Sequence, residues 1–320
     1  MNRNSSTKAL VESGLMTALT VVLMLAASYL PILGYAAMFV WPLPIAMVYV
    51  RHGKKYSILA LVASGIISGL ILGSFLSSLS MIVSFGLASV ILGYCIVHKK
   101  PAHLTIVMMA AAIFIGMLIM LKTYSVVFGQ DLITMTIDTF NQSIETVKQM
   151  YSSMNIPEET INTVLGAIDT NKIVMIMPIA LAGSALGMAF ISYLIAGKLF
   201  KRFDCNMDPV KHFSQWYLPR GLVFAVTLIV LIAYLSNYTK LSLAESYFNN
   251  AYLAFIYMFL INGLSAMDFF LSNKGIPKAF RIIICVLAAL SGLSTILMFV
   301  GLVDNALNLR KLDKTRIRNV

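Results

Sequence analysis

The chain alternates apolar blocks, each close to the ~20 residues a helix needs to cross ~30 Å of hydrocarbon, with short charged stretches. The blocks fall at 9–30, 35–50, 56–76, 78–97, 103–128, 172–197, 219–236, 250–271 and 281–303. Apolar residues make up 59% of the chain and charged residues 12%, against roughly 25% charged in a soluble domain. So little polar surface cannot cover a water-facing globule. An open strand in lipid would leave backbone groups unpaired, so the blocks are read as helices. The fold predicted is all-α: a polytopic transmembrane helical bundle of eight or nine spans. The basic start, Met1 to Lys8, precedes an apolar run too long for the core of a signal peptide, and no small-residue cleavage site follows. This predicts an uncleaved first span.

The +11 net charge does not point to nucleic acid, because the basic residues sit in short loops, where membrane orientation accounts for them. With the N-terminus cytoplasmic, the inner stretches hold Arg3 and Lys8; Arg51, Lys54 and Lys55; Lys99 and Lys100; Lys198, Lys201, Arg202, Lys211 and Arg220; and Lys274, Lys278 and Arg281. Loop 129–171 is acidic, with Asp131, Asp138, Glu145, Glu158, Glu159 and Asp169 against Lys148 alone. The pattern holds through eight spans. A ninth would place Arg310, Lys311, Lys314, Arg316 and Arg318 outside, so either the tail violates the rule or a late segment is re-entrant. Cys95, Cys205 and Cys285 form no CxxC pair, and no disulfide framework is expected.

Loop 129–171 is too long for a simple connector. Ile133, Ile137, Phe140, Ile144, Val147, Tyr151 and Met154 form one helical stripe, Pro157 breaks it, and Ile161, Leu165 and Ile168 form a second. An extracytoplasmic helical hairpin between spans five and six is predicted, either packed on the outer ends of the spans or serving as a lid or docking surface.

Small residues recur every fourth position at Gly65, Gly69 and Gly73, at Gly14 and Ala18, and at Gly183 and Gly187. Such spacing makes a groove for close helix approach. Internal packing is the expectation for the third and sixth spans, while Gly14 and Ala18 are open to a docking role. Pro31 ends the first span, and Trp41-Pro42-Leu43-Pro44 interrupts the second. Broken backbone at membrane depth needs protein or a wet cavity around it, which Tyr35 and Trp41 would line. The alternative is an interfacial aromatic belt around a kink. Lys122 in the fifth span is a candidate cation for an anionic ligand beside Tyr124, or snorkels outward. Asp268 is expected to pair with a loop base such as Lys274, and Glu12 to act as a helix-start acid.

Gly53-Lys54 and Gly197-Lys198 lack the rest of a P-loop. His52, His98, His103 and His212 have no metal-site spacing. The spans carry no carboxylate pair for acid–base hydrolysis. No enzyme activity, cofactor or metal is expected.

Thr7-Lys8-Ala9-Leu10 before Gly14-Leu15-Met16-Thr17-Ala18, then Trp41-Pro42-Leu43-Pro44, the basic turn Arg51-His52-Gly53-Lys54-Lys55 and the glycine-rich span after it resemble the YybS family of uncharacterised multi-pass bacterial membrane proteins. The tail, Gly301-Leu302-Val303-Asp304 followed by Arg310-Lys311, is similar to that family's ending. The resemblance implies a bacterial cell (plasma) membrane location. More distantly, the first six spans resemble the substrate-binding S components of energy-coupling-factor vitamin transporters. That resemblance implies docking of a coupling membrane subunit at Gly14 and Ala18, and an outer ligand near Tyr35, Trp41 and Lys122. The long hairpin and the extra C-terminal spans depart from the S-component plan.

The division expected is a six-span domain, 1–200, and a C-terminal membrane segment, 201–320, with two or three further spans and a basic tail. The leading functional reading is a non-enzymatic small-molecule-binding or transport component that depends on partner subunits for ATP hydrolysis. The other is a membrane scaffold or regulatory protein binding protein partners or lipid.

Overall fold

The computed structural model describes residues 3–129, 131–154, 156–166, 170–238 and 243–313, and every regular element among them is helical. Ile168, Asp169, Lys314, Arg316 and Arg318 lie outside the described residues. The chain divides into two compact units, Met1–Val174 with Ala180–Val210, and Met175–Ile179 with Lys211–Val320.

The first unit contains α1 (Arg3–Tyr29), α2 (Leu33–Val40), α3 (Pro42–His52), α4 (Lys54–Leu72), α5 (Phe75–Met81), α6 (Leu87–Val97), α7 (Ala102–Phe128), α8 (Leu132–Ser153) and α9 (Glu158–Gly166); α10 (Thr170–Met175) and α11 (Met177–Lys201) follow. Pro31 lies just past the end of α1, as the sequence predicts. Gly53, at φ +85°, lets α3 and α4 abut with one residue between them, and Gly73, at φ +63°, ends α4. Neither backbone angle suits a residue with a Cβ. A π-turn at Ile82–Gly86 joins α5 to α6.

The core gathers Met24, Trp41, Ile45, Leu92, Met109, Ile113 and Phe200 around the alanine face Ala185, Ala189 and Ala196 of α11. One end of the unit is basic. Glu12 of α1 meets His52 and Arg51 of α3, and the Arg51 guanidinium lies 5.3 Å over the Phe203 ring beyond α11.

The second span is broken where the sequence predicts, at Trp41 between α2 and α3, though mildly enough that the two parts remain one candidate span. Trp41 itself has helical angles (φ −58°, ψ −27°), and Leu33–His52 runs as one candidate span of 20 residues. The physical reason is register. The prolines fall in the first turn of α3, where a missing N–H leaves no helical bond unmade. Between spans five and six the predicted hairpin is present: Asp131 caps α8 by accepting the Ile133 N–H at 3.0 Å, and α9 restarts after Pro157. Ile161 and Leu165 of α9 are buried, whereas α8 buries no residue fully.

The second unit holds α12 (Arg220–Ser236), α13 (Ala244–Asn273), α14 (Lys278–Leu290) and α15 (Ser294–Leu307). Asn250 of α13 donates to the Met175 carbonyl (2.6 Å) and accepts the Ile179 N–H (2.9 Å), which ties in the 175–179 segment. Among the described residues seven helices are long and apolar enough to cross a membrane, and α12, at 17 residues, is slightly shorter. The last block, open in the sequence between a ninth span and a re-entrant segment, forms α14 and α15, bent by 112°. Helices of 13 and 14 residues rise only about 20 Å each, too little to cross alone.

Both ends of this bent pair lie at the same end of α13. Arg281, at the start of α14, bonds Asp268 at 3.0 Å. Beyond α15, Arg310 bonds Ser265 at 2.6 Å, and Asn305 reaches the Leu218 carbonyl just before α12. The pair is therefore re-entrant in form. Taking α12 as a span, eight helices cross, and Arg310 and Lys311 stay beside Arg220 and Arg281 in agreement with the positive-inside rule. Cysteines replacing Lys211 and Lys311 in a cysteine-free chain should both react with an impermeant maleimide from the same side of sealed vesicles. Labelling from opposite sides would make α14–α15 a true span.

Candidate functional site

No hydrogen bond, ion pair or ring contact among the described residues joins Tyr35, Trp41, Lys122 and Tyr124. Trp41 is fully buried, edge-on to Phe85 with ring centroids 6.2 Å apart, and its indole N–H meets no acceptor among the described residues. Tyr35 is 75% exposed. Lys122 is exposed, with no ion pair to a described residue, and the Tyr124 ring lies tilted against Phe128, centroids 4.9 Å apart. Trp41 belongs to the packed core of the first unit.

The small residues separate into two groups. A Cβ added at Gly65 would overlap the Ile82 side chain, and one at Gly69 would come within 2.9 Å of Phe75, so this stripe packs α4 against its own unit. Gly73 serves as the left-handed end of α4. At Gly14 an added Cβ meets nothing within 4 Å, and Ala18, one turn on, is exposed. Gly183 and Gly187 are equally open, contrary to the internal packing expected there.

Asp268 pairs with a base of the stretch that follows it, as expected, and that base is Arg281, because α14 folds back alongside α13. Glu12 departs from its expected role. Glu12 lies well inside α1, whose first described turn begins at Arg3. It holds His52 at 2.8 Å, Arg51 at 3.5 Å and Lys8 at 3.9 Å instead of serving the helix start.

The most demanding arrangement is one that reasoning from sequence missed. Arg310 is 4% exposed and Asp304 fully buried. All five guanidinium N–H groups have acceptors. Nε and Nη2 donate to Asp304 Oδ2 (3.0 and 2.8 Å), Nη2 also to Asn262 Oδ1 (2.9 Å), and Nη1 to Ser265 Oγ (2.6 Å) and the Ser214 carbonyl (3.0 Å). Asn262 in turn donates to the Gly301 carbonyl at 2.7 Å. Close approach of the backbones makes this possible: a Cβ at Gly263 would overlap the Leu297 carbonyl, and one at Gly301 the Phe259 carbonyl. The available signal was Asn262 and Ser265 inside an apolar block, facing the Asp304 and Arg310 of the tail. The geometry locks the re-entrant pair onto α13 and offers no reacting group an open path.

At the basic end of the first unit, a cavity of 480 Å³ opens between the α6–α7 turn and the irregular 206–209 segment, lined among others by Lys99, Lys100, Thr105, Tyr193 and Asn206. Among the described residues no cluster of three or more His, Cys, Asp or Glu side chains is placed to hold a metal.

Helices of this length and polarity, a hairpin between spans and a buried ionic lock at the re-entrant pair define a polytopic α-helical membrane protein. The chain belongs to the DUF2232 family of predicted membrane proteins, which matches residues 18–305. It is 26% identical over 295 residues to the uncharacterized protein YybS of Bacillus subtilis (strain 168), covering 88% of this chain and 90% of that protein. No solved structure matches it.

Replacing Arg310 with Met, which leaves Asp304 buried and unpaired, should destabilise the protein by about 3–5 kcal/mol, whereas pairing it with Asp304→Leu should recover much of that loss. Trp41→Ala should cost about 3–5 kcal/mol, and Lys122→Ala no more than about 0.5 kcal/mol. Thermal unfolding in detergent reads all four.

Proposed function

We propose that this protein is a non-enzymatic, multi-pass subunit of the bacterial cell membrane, its N-terminus cytoplasmic, that acts by docking a partner membrane protein along α1. The observation that carries the reading is the open position at Gly14. The opposite face of α1, with Ser13, Thr17, Thr20, Val21 and Met24, is buried in its own unit, while Gly14 and Ala18 face outward. In hydrocarbon, helix association rests on close backbone approach through small residues rather than on apolar burial. Orientation is supported by Lys8, Arg51 and Lys100 collecting at one end of the first unit.

Of the two uses of such a partner, scaffolding or regulation needs nothing beyond this surface. A transport role is favoured by the likeness of the first six spans to S components, in which Gly14 and Ala18 take the place of the docking motif. It would place its ligand elsewhere than at Trp41, whose surroundings are filled.

Gly14→Leu fills the stripe without touching the core. It should reduce recovery of a co-purifying membrane protein at least about tenfold, while Gly14→Ser, still small, retains it. Native mass spectrometry of the gently purified protein measures the recovery and any small ligand together. Equal recovery from wild type and Gly14→Leu would remove the docking reading.

A further inference from the structure

We infer that the cavity at the basic end of the first unit is a phosphate-binding site, filled by the headgroup of an anionic phospholipid. Its geometry begins at the α6–α7 turn. The Lys99 N–H bonds the Ile96 carbonyl (3.1 Å) and the Lys100 N–H bonds the Cys95 carbonyl (2.9 Å), with Lys99 held in the left-handed region at φ +49°. This tight reversal places two consecutive lysines on the cavity wall. The one carboxylate there, Asp208, is engaged at the start of α7, where its Oδ2 accepts the Ala102 N–H at 2.7 Å. The Tyr193 hydroxyl donates to the Asp208 carbonyl at 2.6 Å and fixes the 206–209 segment across the opening. Neither lysine forms an ion pair with a described residue, and the two ammonium groups outnumber the one carboxylate, Asp208, that lines the space with them.

The remaining wall suits a phosphate ester. Asn206 supplies amide donors, and Ile96, Pro101, Met207 and Pro209 supply apolar surface for a glycerol backbone. The volume of 480 Å³ lies within the range of small-ligand sites, about 300–1,000 Å³. A lipid source is favoured over a soluble ester because the site sits at helix ends. Val97 and Leu104 beside it are 49% and 38% exposed on spans whose outer surface meets hydrocarbon, and basic pockets at this depth hold anionic headgroups. This site is independent of the α1 stripe, and neither reading stands or falls with the other.

The test uses the full chain in neutral detergent, with native mass spectrometry after addition of phosphatidylglycerol, phosphatidylcholine or glycerol 3-phosphate. Wild type should retain phosphatidylglycerol on the order of tenfold better than phosphatidylcholine. K99Q/K100Q should abolish that preference, K99R/K100R should keep it, and K54Q/K55Q, a lysine pair outside the cavity, should leave it intact. Thermal unfolding of each variant separates loss of binding from loss of fold. Lysine-dependent capture of glycerol 3-phosphate without a phosphatidylglycerol preference would keep the phosphate assignment and overturn the lipid source. A preference unchanged in K99Q/K100Q, or none in wild type, would overturn the site itself.

Discussion

A buried polar group is cut off from water, so it is costly unless it finds a partner within the protein. Nowhere is that demand greater here than at Arg310. Its charge is buried, and all five of its N–H groups must be met at once; Asn262, Ser265, Asp304 and the Ser214 carbonyl meet them. Those acceptors come from three different stretches of chain, so satisfying one side chain fixes α13, α15 and the loop before α12 relative to one another. A buried ion pair adds little net stability over apolar residues of the same shape. Its effect is on specificity, because an alternative packing of α15 would strand the guanidinium. The glycines at 263 and 301 are the condition for it: without a Cβ at either, α15 comes close enough for Asn262 to reach the Gly301 carbonyl.

The same rule bears on the prolines of the second span. A proline inside a helix frees a carbonyl four residues back and needs something polar to receive it. Pro42 and Pro44 avoid most of that cost by lying in the first turn of α3, and the Trp41 N–H still reaches the Ala37 carbonyl at 2.9 Å. The helix breaks only at Trp41, whose indole is buried edge-on to Phe85.

The apolar blocks, the hairpin after α7 and the helix stop at Pro31 were legible because they depend on local quantities: block length, stripe period and a missing donor. The candidate site was not, because it depends on which faces meet. Lys122 and Tyr124 read as intramembrane chemistry from position alone, yet Lys122 is exposed and Tyr124 meets Phe128. Asp268 had several bases within reach along the chain, and only the reversal of α14 selects Arg281. The conflict between nine blocks and the basic tail was the sequence's clearest indication of tertiary structure. It held two answers, and the 112° bend with the return of Arg310 to the level of Ser265 distinguishes them.

Glycine spacing shows most directly why pattern and use differ. Gly65 and Gly69, Gly263 and Gly301, and Gly14 all lie on apolar helices, and periodicity alone treats them alike. The space around each differs. At Gly65 and Gly69 side chains from α5 and the π-turn already occupy the groove, and at Gly263 and Gly301 a neighbouring backbone does. At Gly14 the groove is formed by the sequence and left unfilled by the fold. A small residue on an exposed helix face forgoes the side-chain packing against lipid that leucine would supply, as Leu10, Leu15 and Leu19 do on the same helix. In a membrane, where apolar burial does not drive helices together, the gain that offsets this loss is closer backbone contact with another helix. Among the described residues nothing lies within 4 Å of a Cβ built at Gly14, so the groove there is open to close approach by another helix.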